Sequence, residues 1–314
     1  MVDILFRALF PAVFAIVLGW LAARTGYVKR DQSRAFGAFV MRFALPCALL
    51  AGILNMPVSD MPTASYMLCM LAGFLGTYVI TFLLGRSLFR NDLATSALQG
   101  LLCAFPSMAF SGVPILTSVE GSRGLIPIIV GNLVSSFVLI PITLILVEIS
   151  LRSNDGAGAR PLDIVRKSIV HSAMEPIVWV PLLGGVIKFF HVPLHPAAVQ
   201  AVNLIGNASA GTGLFVVGLM LYGTSLKLSR ELVSNTVLKN IAQPVLMAAV
   251  IPLFGVGAMS HSRELILTGA IPVATTSSII ALRYQKYVAE STATIVASTL
   301  FSIITIAVAI VVTH

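Results

Sequence analysis

Cys103-Ala-Phe-Pro106-Ser-Met-Ala-Phe-Ser111-Gly112-Val-Pro114 and Gly269-Ala-Ile-Pro272-Val-Ala-Thr275-Thr276-Ser277-Ser278 each interrupt a long apolar run. Proline removes a backbone donor and clashes with the preceding turn, so neither stretch reads as an unbroken helix. The Gly, Ser and Thr residues beside the prolines can take up the freed backbone groups or allow a kink.

Apolar runs recur along the whole 314-residue chain, which is 57% hydrophobic and 10% charged. An average soluble protein is about 25% charged. So few charges cannot cover a water-facing surface, which excludes most soluble folds. High hydrophobicity also excludes disorder. The net charge of +8 would suggest nucleic acid in a soluble protein. Here basic loops on the cytoplasmic face of a bilayer explain it, so lipid and not nucleic acid is the expected surroundings. The first apolar run lacks a basic leader and a cleavage site, so it is expected to stay as a helix.

A span needs about 20 mainly apolar residues. Inside hydrocarbon the backbone must bond to itself, and no period-2 alternation supports a barrel. Ten spans are expected near 3–23, 35–54, 64–85, 94–119, 124–149, 168–189, 197–223, 237–258, 264–282 and 290–313. Fifteen of the 20 Lys and Arg residues, including Lys227, Arg230 and Lys239 between the seventh and eighth spans, are assigned to loops on one side. Arg7, Arg123, Lys188 and Arg263 fall on the other, and Arg42 lies inside a span. The positive-inside rule then places both termini outside the cytoplasm, as an even number of spans requires.

The chain also repeats. A shift of 165 or 166 residues lays Pro11–Gly19 over Pro176–Gly184, Pro106 over Pro272, Ser111 over Ser277 and Ser136 over Ser302. The interrupted fourth span thus corresponds to the interrupted ninth. Five spans per half is odd, so the halves, 1–150 and 167–314, must enter the membrane in opposite senses. Residues 151–166 read as a cytoplasmic linker. Paired interrupted segments in an inverted repeat point to a transporter binding site.

Gly19-Trp-Leu-Ala-Ala-Arg-Thr-Gly26, Phe39-Val-Met-Arg-Phe-Ala-Leu-Pro46-Cys-Ala-Leu-Leu50, Phe110-Ser-Gly112-Val-Pro114, Gln243-Pro244 and Pro272…Ala281-Leu-Arg-Tyr284 together resemble the auxin efflux carrier family. That family includes bacterial malonate- and malate-type carriers and is related in fold to the PIN auxin carriers and the bile acid:sodium symporters. The resemblance implies an all-α polytopic protein of ten helices in two inverted five-helix repeats, with broken helices 4 and 9 crossing. It implies a scaffold from helices 1, 2, 6 and 7 and a transport domain from helices 3–5 and 8–10. It further implies elevator-like alternating access in a bacterial inner membrane, and it accommodates a homodimer through the scaffold. Where family members often carry Asn near both breaks, this chain has Ser107 and Thr276. Arg42 stands where the family usually has an apolar or aromatic residue.

A helix break exposes N–H groups at one half-helix start, where about half a positive charge resides. Two such starts suit a small organic anion, a carboxylate or dicarboxylate. Pro106, Ser107, Ser111, Gly112, Pro272, Thr275, Thr276 and Ser277 are the candidate residues there, hydroxyls as donors and Gly112 for close approach. Arg42 either clamps a carboxylate with its planar fork or snorkels to the surface. Pro46 is expected to kink the helix beside the site. Asn207, the repeat mate of Arg42, reads as interhelical glue or a site residue, and Asn132 as support for the crossing.

Coupling to a proton or to sodium stays open, with Glu148 and Glu175 the candidate proton carriers and no cofactor called for. A sodium-coupled symporter and, below it, an anion channel are the alternative readings. His171, His191, His195 and His261 lie near span ends without metal spacing. Cys47, Cys69 and Cys103 sit in apolar runs as small buried residues. No GxSxG elbow, no acid or His at the depth of the serines and no Walker A motif appears, so an enzyme is not expected.

Overall fold

Proline sterics and the need to satisfy every backbone group in an apolar setting dictate short helices punctuated at defined points. The computed structural model describes residues 2–29, 32–55, 62–155, 166, 170, 173–223, 228–255 and 262–313, and among them every regular element is a helix. The elements are α1 (Val2–Arg24), α2 (Ser33–Phe39), α3 (Leu45–Asn55), α4 (Ala64–Ser87), α5 (Leu93–Ala104), α6 (Val113–Glu120), α7 (Leu125–Val134) and α8 (Ile140–Asp155). They continue with α9 (Pro176–Phe189), α10 (Pro196–Gly206), α11 (Ala208–Leu221), α12 (Arg230–Val237), α13 (Gln243–Val250), α14 (Ser262–Ala270), α15 (Thr275–Arg283) and α16 (Val288–Val312). Among the described residues six helical runs are long and apolar enough to cross a membrane: Ala35–Asn55, Ala64–Ser87, Met108–Leu151, Pro196–Leu221, Arg230–Phe254 and Val288–Val312. The chain is therefore a multi-pass, all-helical membrane protein.

Two compact units share the chain. One holds Met1–Pro62, Met108–Asn132 and Ala173–Thr224, the other Thr63–Ser107, Leu133–Ser172 and Ser225–His314. In the first unit α1 and α11 lie backbone to backbone. A Cβ on Gly19 would come 2.1 Å from the Phe215 carbonyl oxygen, and one on Gly218 would come 2.0 Å from that of Ile16. Lipid tails are as apolar as leucine, so association in a bilayer relies on this kind of close packing at small residues. The Trp20 ring meets Tyr222 edge-on at 6.3 Å, and the Arg24 guanidinium lies 5.0 Å from the Trp20 centroid. The Lys188 ammonium donates to the Ile53 and Leu54 carbonyls at 2.8 and 3.1 Å, closing the C-terminal end of α3, where a cation also meets the helix dipole favourably.

In the second unit α4 and α5 form an antiparallel pair. Thr63 caps α4 by accepting from the Tyr66 N–H at 3.3 Å, and Asp92 caps α5 by accepting from Thr95 N–H at 2.7 Å. The Asp92 carboxylate also pairs with Lys286. Partial burial alone would raise the Asp92 carboxyl, but the hydrogen bonds from Lys286 and Thr95 hold it below its ordinary value. Gly269 of α14 abuts α13, where a Cβ would come 2.7 Å from Pro244 Cα.

One sequence expectation is corrected here. Lys239, assigned to a basic cytoplasmic loop, is fully buried in the helical turn Leu238–Ala242 that joins α12 to α13. A charge count along the chain cannot tell a loop lysine from one two residues inside a span. Arg30, Asp60, Arg160, Lys167, His171, Lys227 and His261, and most of the expected linker, lie outside the described residues.

Candidate functional site

Pro106 and Pro272 each hold the preceding residue out of the helical region. Phe105 accordingly ends α5 in an extended conformation, with φ −99° and ψ 102°. The two interruptions then pair as a one-residue antiparallel bridge between Pro106 and Val273. The Ser107 N–H donates to the Pro272 carbonyl at 2.7 Å, and the Ala274 N–H donates to the Phe105 carbonyl at 2.9 Å. Both prolines thus stand where the bridge asks for no donor. The Ser107 N–H is therefore taken by the other break.

The bridge is anchored from the side. The Val273 N–H donates to Ser298 Oγ at 3.2 Å, and that hydroxyl donates to Asn240 Oδ1 at 2.6 Å. Asn240 Nδ2 returns a bond to the Ser298 carbonyl at 3.0 Å. All three residues are buried or on buried backbone. A fully satisfied polar network of this kind specifies one arrangement of a core.

The carbonyl ends of α5 and α14 are closed by one pair of side chains. Gln243 Nε2 donates to the Ala104 carbonyl at 2.9 Å, and Lys239 Nζ donates to the Gly269 carbonyl at 3.0 Å. The Lys239 ammonium also donates to Gln243 Oε1. Toward the start of α12 the polar chain continues. Gln99 Nε2 donates to Asn235 Oδ1 at 2.8 Å, and Asn235 Nδ2 donates to Tyr287 Oη at 2.9 Å and to Thr294 Oγ1 at 3.3 Å. Asn91 Nδ2 reaches Gln99 Oε1 and Glu231 Oε1 at 3.2 and 3.1 Å. Glu231, Asn235, Lys239 and Gln243 follow one another at intervals of four, one face of a helix. That spacing was the available sequence signal for Asn235 and for Lys239 as a site residue; Asn235 and Asn240 were not singled out, and Lys239 was read only as a loop cation. Glu264, fully buried in α14, was also passed over.

Beyond the bridge, α15 opens with Thr275, Thr276 and Ser277, and its N-cap Ala274 supplies no side-chain bond. The Ser277 hydroxyl is buried and makes no hydrogen bond among the described residues. Buried hydroxyls are normally bonded, so this one calls for a partner.

The remaining sequence candidates are placed as follows. Pro106, Ser107, Pro272, Thr275, Thr276 and Ser277 belong to the second unit, and Arg42, Pro46, Ser111, Gly112, Asn132 and Asn207 to the first. Arg42 is exposed on the wide helical turn Val40–Ala44 just before α3, and Pro46 is buried one turn on. Ser111 and Gly112 are buried in the turn Met108–Gly112, beside which Gly213 of α11 packs against Phe110. Asn207 is exposed between α10 and α11. The Asn132 side-chain amide donates to the Ile128 carbonyl of its own helix at 2.9 Å. Glu148 accepts from Tyr284 Oη at 3.4 Å, and burial together with that carboxylate pushes the Tyr284 hydroxyl up. Glu175 caps α9. Among the described residues no cluster of His, Cys, Asp and Glu could hold a metal ion.

Apolar helices with two proline breaks joined at one point suit a membrane transporter, and known proteins similar to this chain include transporters. The chain is 29% identical over 302 residues to the uncharacterized transporter YfdV of Escherichia coli K12, covering 95% of this chain and 94% of that one. It is 22% identical over 299 residues to a putative malonate transporter of Rhizobium meliloti, with 94% and 92% covered. A lysosomal cholesterol signaling protein of Mus musculus is 27% identical over 315 residues, a match to 94% of this chain and 36% of the mouse protein. The family model described as membrane transport protein matches residues 4–310, so the chain belongs to that transporter family, the auxin efflux carrier family its motifs resemble.

Proposed function

We propose that this protein is a secondary carrier for a small organic anion, a carboxylate or dicarboxylate, recognised beside the Pro106–Val273 bridge. The observation that carries the reading is the first turn of α15, where the buried Ser277 hydroxyl lacks a partner among the described residues at the end of a helix that favours negative charge. Thr275, Thr276 and Ser107 add hydroxyls, and Arg42, Pro46, Ser111, Gly112 and Asn207 of the first unit are further candidates for substrate binding. The similarity to a putative malonate transporter supports a dicarboxylate. The reading includes ten spans in two inverted repeats, both termini outside the cytoplasm, a scaffold of helices 1, 2, 6 and 7, and elevator-like movement of helices 3–5 and 8–10. Glu148 and Glu175 are the proposed proton-coupling carboxylates, and a homodimer through the scaffold is part of the same reading.

Uptake of labelled malonate into liposomes holding the purified protein tests it. Saturable uptake is expected. Ser277→Ala should lower it about ten- to a hundredfold, the value of one lost hydrogen bond to a charged group, without lowering the melting temperature. Flux that rises linearly with concentration would favour a channel, and hydrolysis without uptake would favour an enzyme. Absence of both uptake and thermal stabilisation across a panel of small acids would refute the anion reading.

A further inference from the structure

The crossing has a negative side as well as a positive one. Ala104 and Gly269 are carbonyl-bearing residues at the C-terminal ends of α5 and α14, and each such end carries about half a negative charge. In carriers built on broken helices, ends of this polarity together with nearby carbonyls are where a coupling cation is held. Here a side chain stands there instead. Lys239 is fully buried, its ammonium donating to the Gly269 carbonyl at 3.0 Å and to Gln243 Oε1, while the amide of the same Gln243 donates to the Ala104 carbonyl at 2.9 Å. One lysine and one glutamine therefore close both carbonyl ends: Nζ takes the Gly269 oxygen that an inorganic cation would use, and the Gln243 amide takes that of Ala104.

Burying an ammonium is costly unless it is paired and hydrogen-bonded, and the two helix ends supply the compensating negative potential. We propose that the Lys239 ammonium is a built-in cation at the negative pole of the crossing, so that the crossing assembles without sodium or another inorganic cation. The inference builds on the carrier reading but concerns the protein whatever its anion. An ammonium on a flexible stem fills a space that needs one positive charge and few ligands. It cannot dissociate, so the two breaks stay joined with the anion side empty or filled.

The test is the melting temperature of the purified protein in detergent, which needs no knowledge of the substrate. The wild type should melt within about 1 °C in sodium chloride and in choline chloride of equal ionic strength, because a cation bound only to the folded state would raise its stability. Lys239→Ala should melt about 10 °C lower, as expected when one partner of a buried charged network is removed. Propylammonium, which restores the missing carbons and the charge, should recover part of that loss, and propanol should not. Selective stabilisation of the wild type by sodium would overturn the proposal. So would an Ala variant as stable as the wild type, or equal recovery by propanol, which would mean a plain cavity. Should the Ala variant fail to fold, the wild-type comparison still decides, and Lys239→Met, which keeps the volume without the charge, takes its place. Absence of uptake and of thermal stabilisation across the panel of small acids would refute the anion reading and leave this melting comparison standing.

Discussion

Replacing Gln243 by leucine removes two hydrogen bonds with little change of volume. Gln243→Leu leaves the Ala104 carbonyl without its 2.9 Å donor and takes one acceptor from the Lys239 ammonium. An orphaned buried carbonyl costs about 1–3 kcal/mol, and a lost hydrogen bond to a charged group about 1.5–3 kcal/mol. The side chain is fully buried, so water cannot make up the difference. A loss of about 3–5 kcal/mol is therefore expected, measured as thermal or denaturant unfolding in detergent. The sharper measurement is a double-mutant cycle with Lys239→Met. Each single variant destroys the shared Lys239–Gln243 bond, so the double should be less destabilised than the sum by about 1.5–3 kcal/mol. A double variant whose loss equals the sum within about 0.5 kcal/mol would refute the coupling, and with it the argument that one pair closes both helix ends.

Three further outcomes follow from other parts of the molecule. If Arg42 binds the anion, Arg42→Ala abolishes malonate uptake and Arg42→Lys keeps a weakened part, because lysine lacks the planar fork; normal uptake by the Ala variant would leave Arg42 as a snorkelling side chain. Gly218→Val should destabilise the protein by about 3 kcal/mol or more, since a Cβ there would meet the Ile16 carbonyl oxygen at 2.0 Å and the rigid α1 backbone cannot yield; unchanged melting would contradict the close helix approach. The Asp92–Lys286 pair lends stability that is complete above the ordinary aspartate value, about 3.9, and is lost as pH falls through the lower folded value. Asp92→Asn should therefore flatten the acid limb of the melting-temperature profile in that range, and an unchanged limb would assign it to other carboxylates.

The sequence by itself determined the membrane setting, because 32 charged residues cannot clothe a water-soluble body of 314. It also located both breaks, since proline acts on its own backbone and on the residue just before it, a local effect visible in any linear reading. The family was legible in the order of its motifs. What only the tertiary structure decided is who meets whom. That Pro106 pairs with Val273, residues 167 positions apart, depends on the packing of whole helices. That Ser107 spends its N–H on Pro272 follows from that pairing and from nothing local. Lys239 shows the limit most plainly: position along the chain put it among basic loop residues, whereas burial against the Gly269 carbonyl makes it a helix-end cation. A charge is read from sequence at once, but its meaning depends on the dielectric and the dipoles around it, and those are set by residues brought together only on folding.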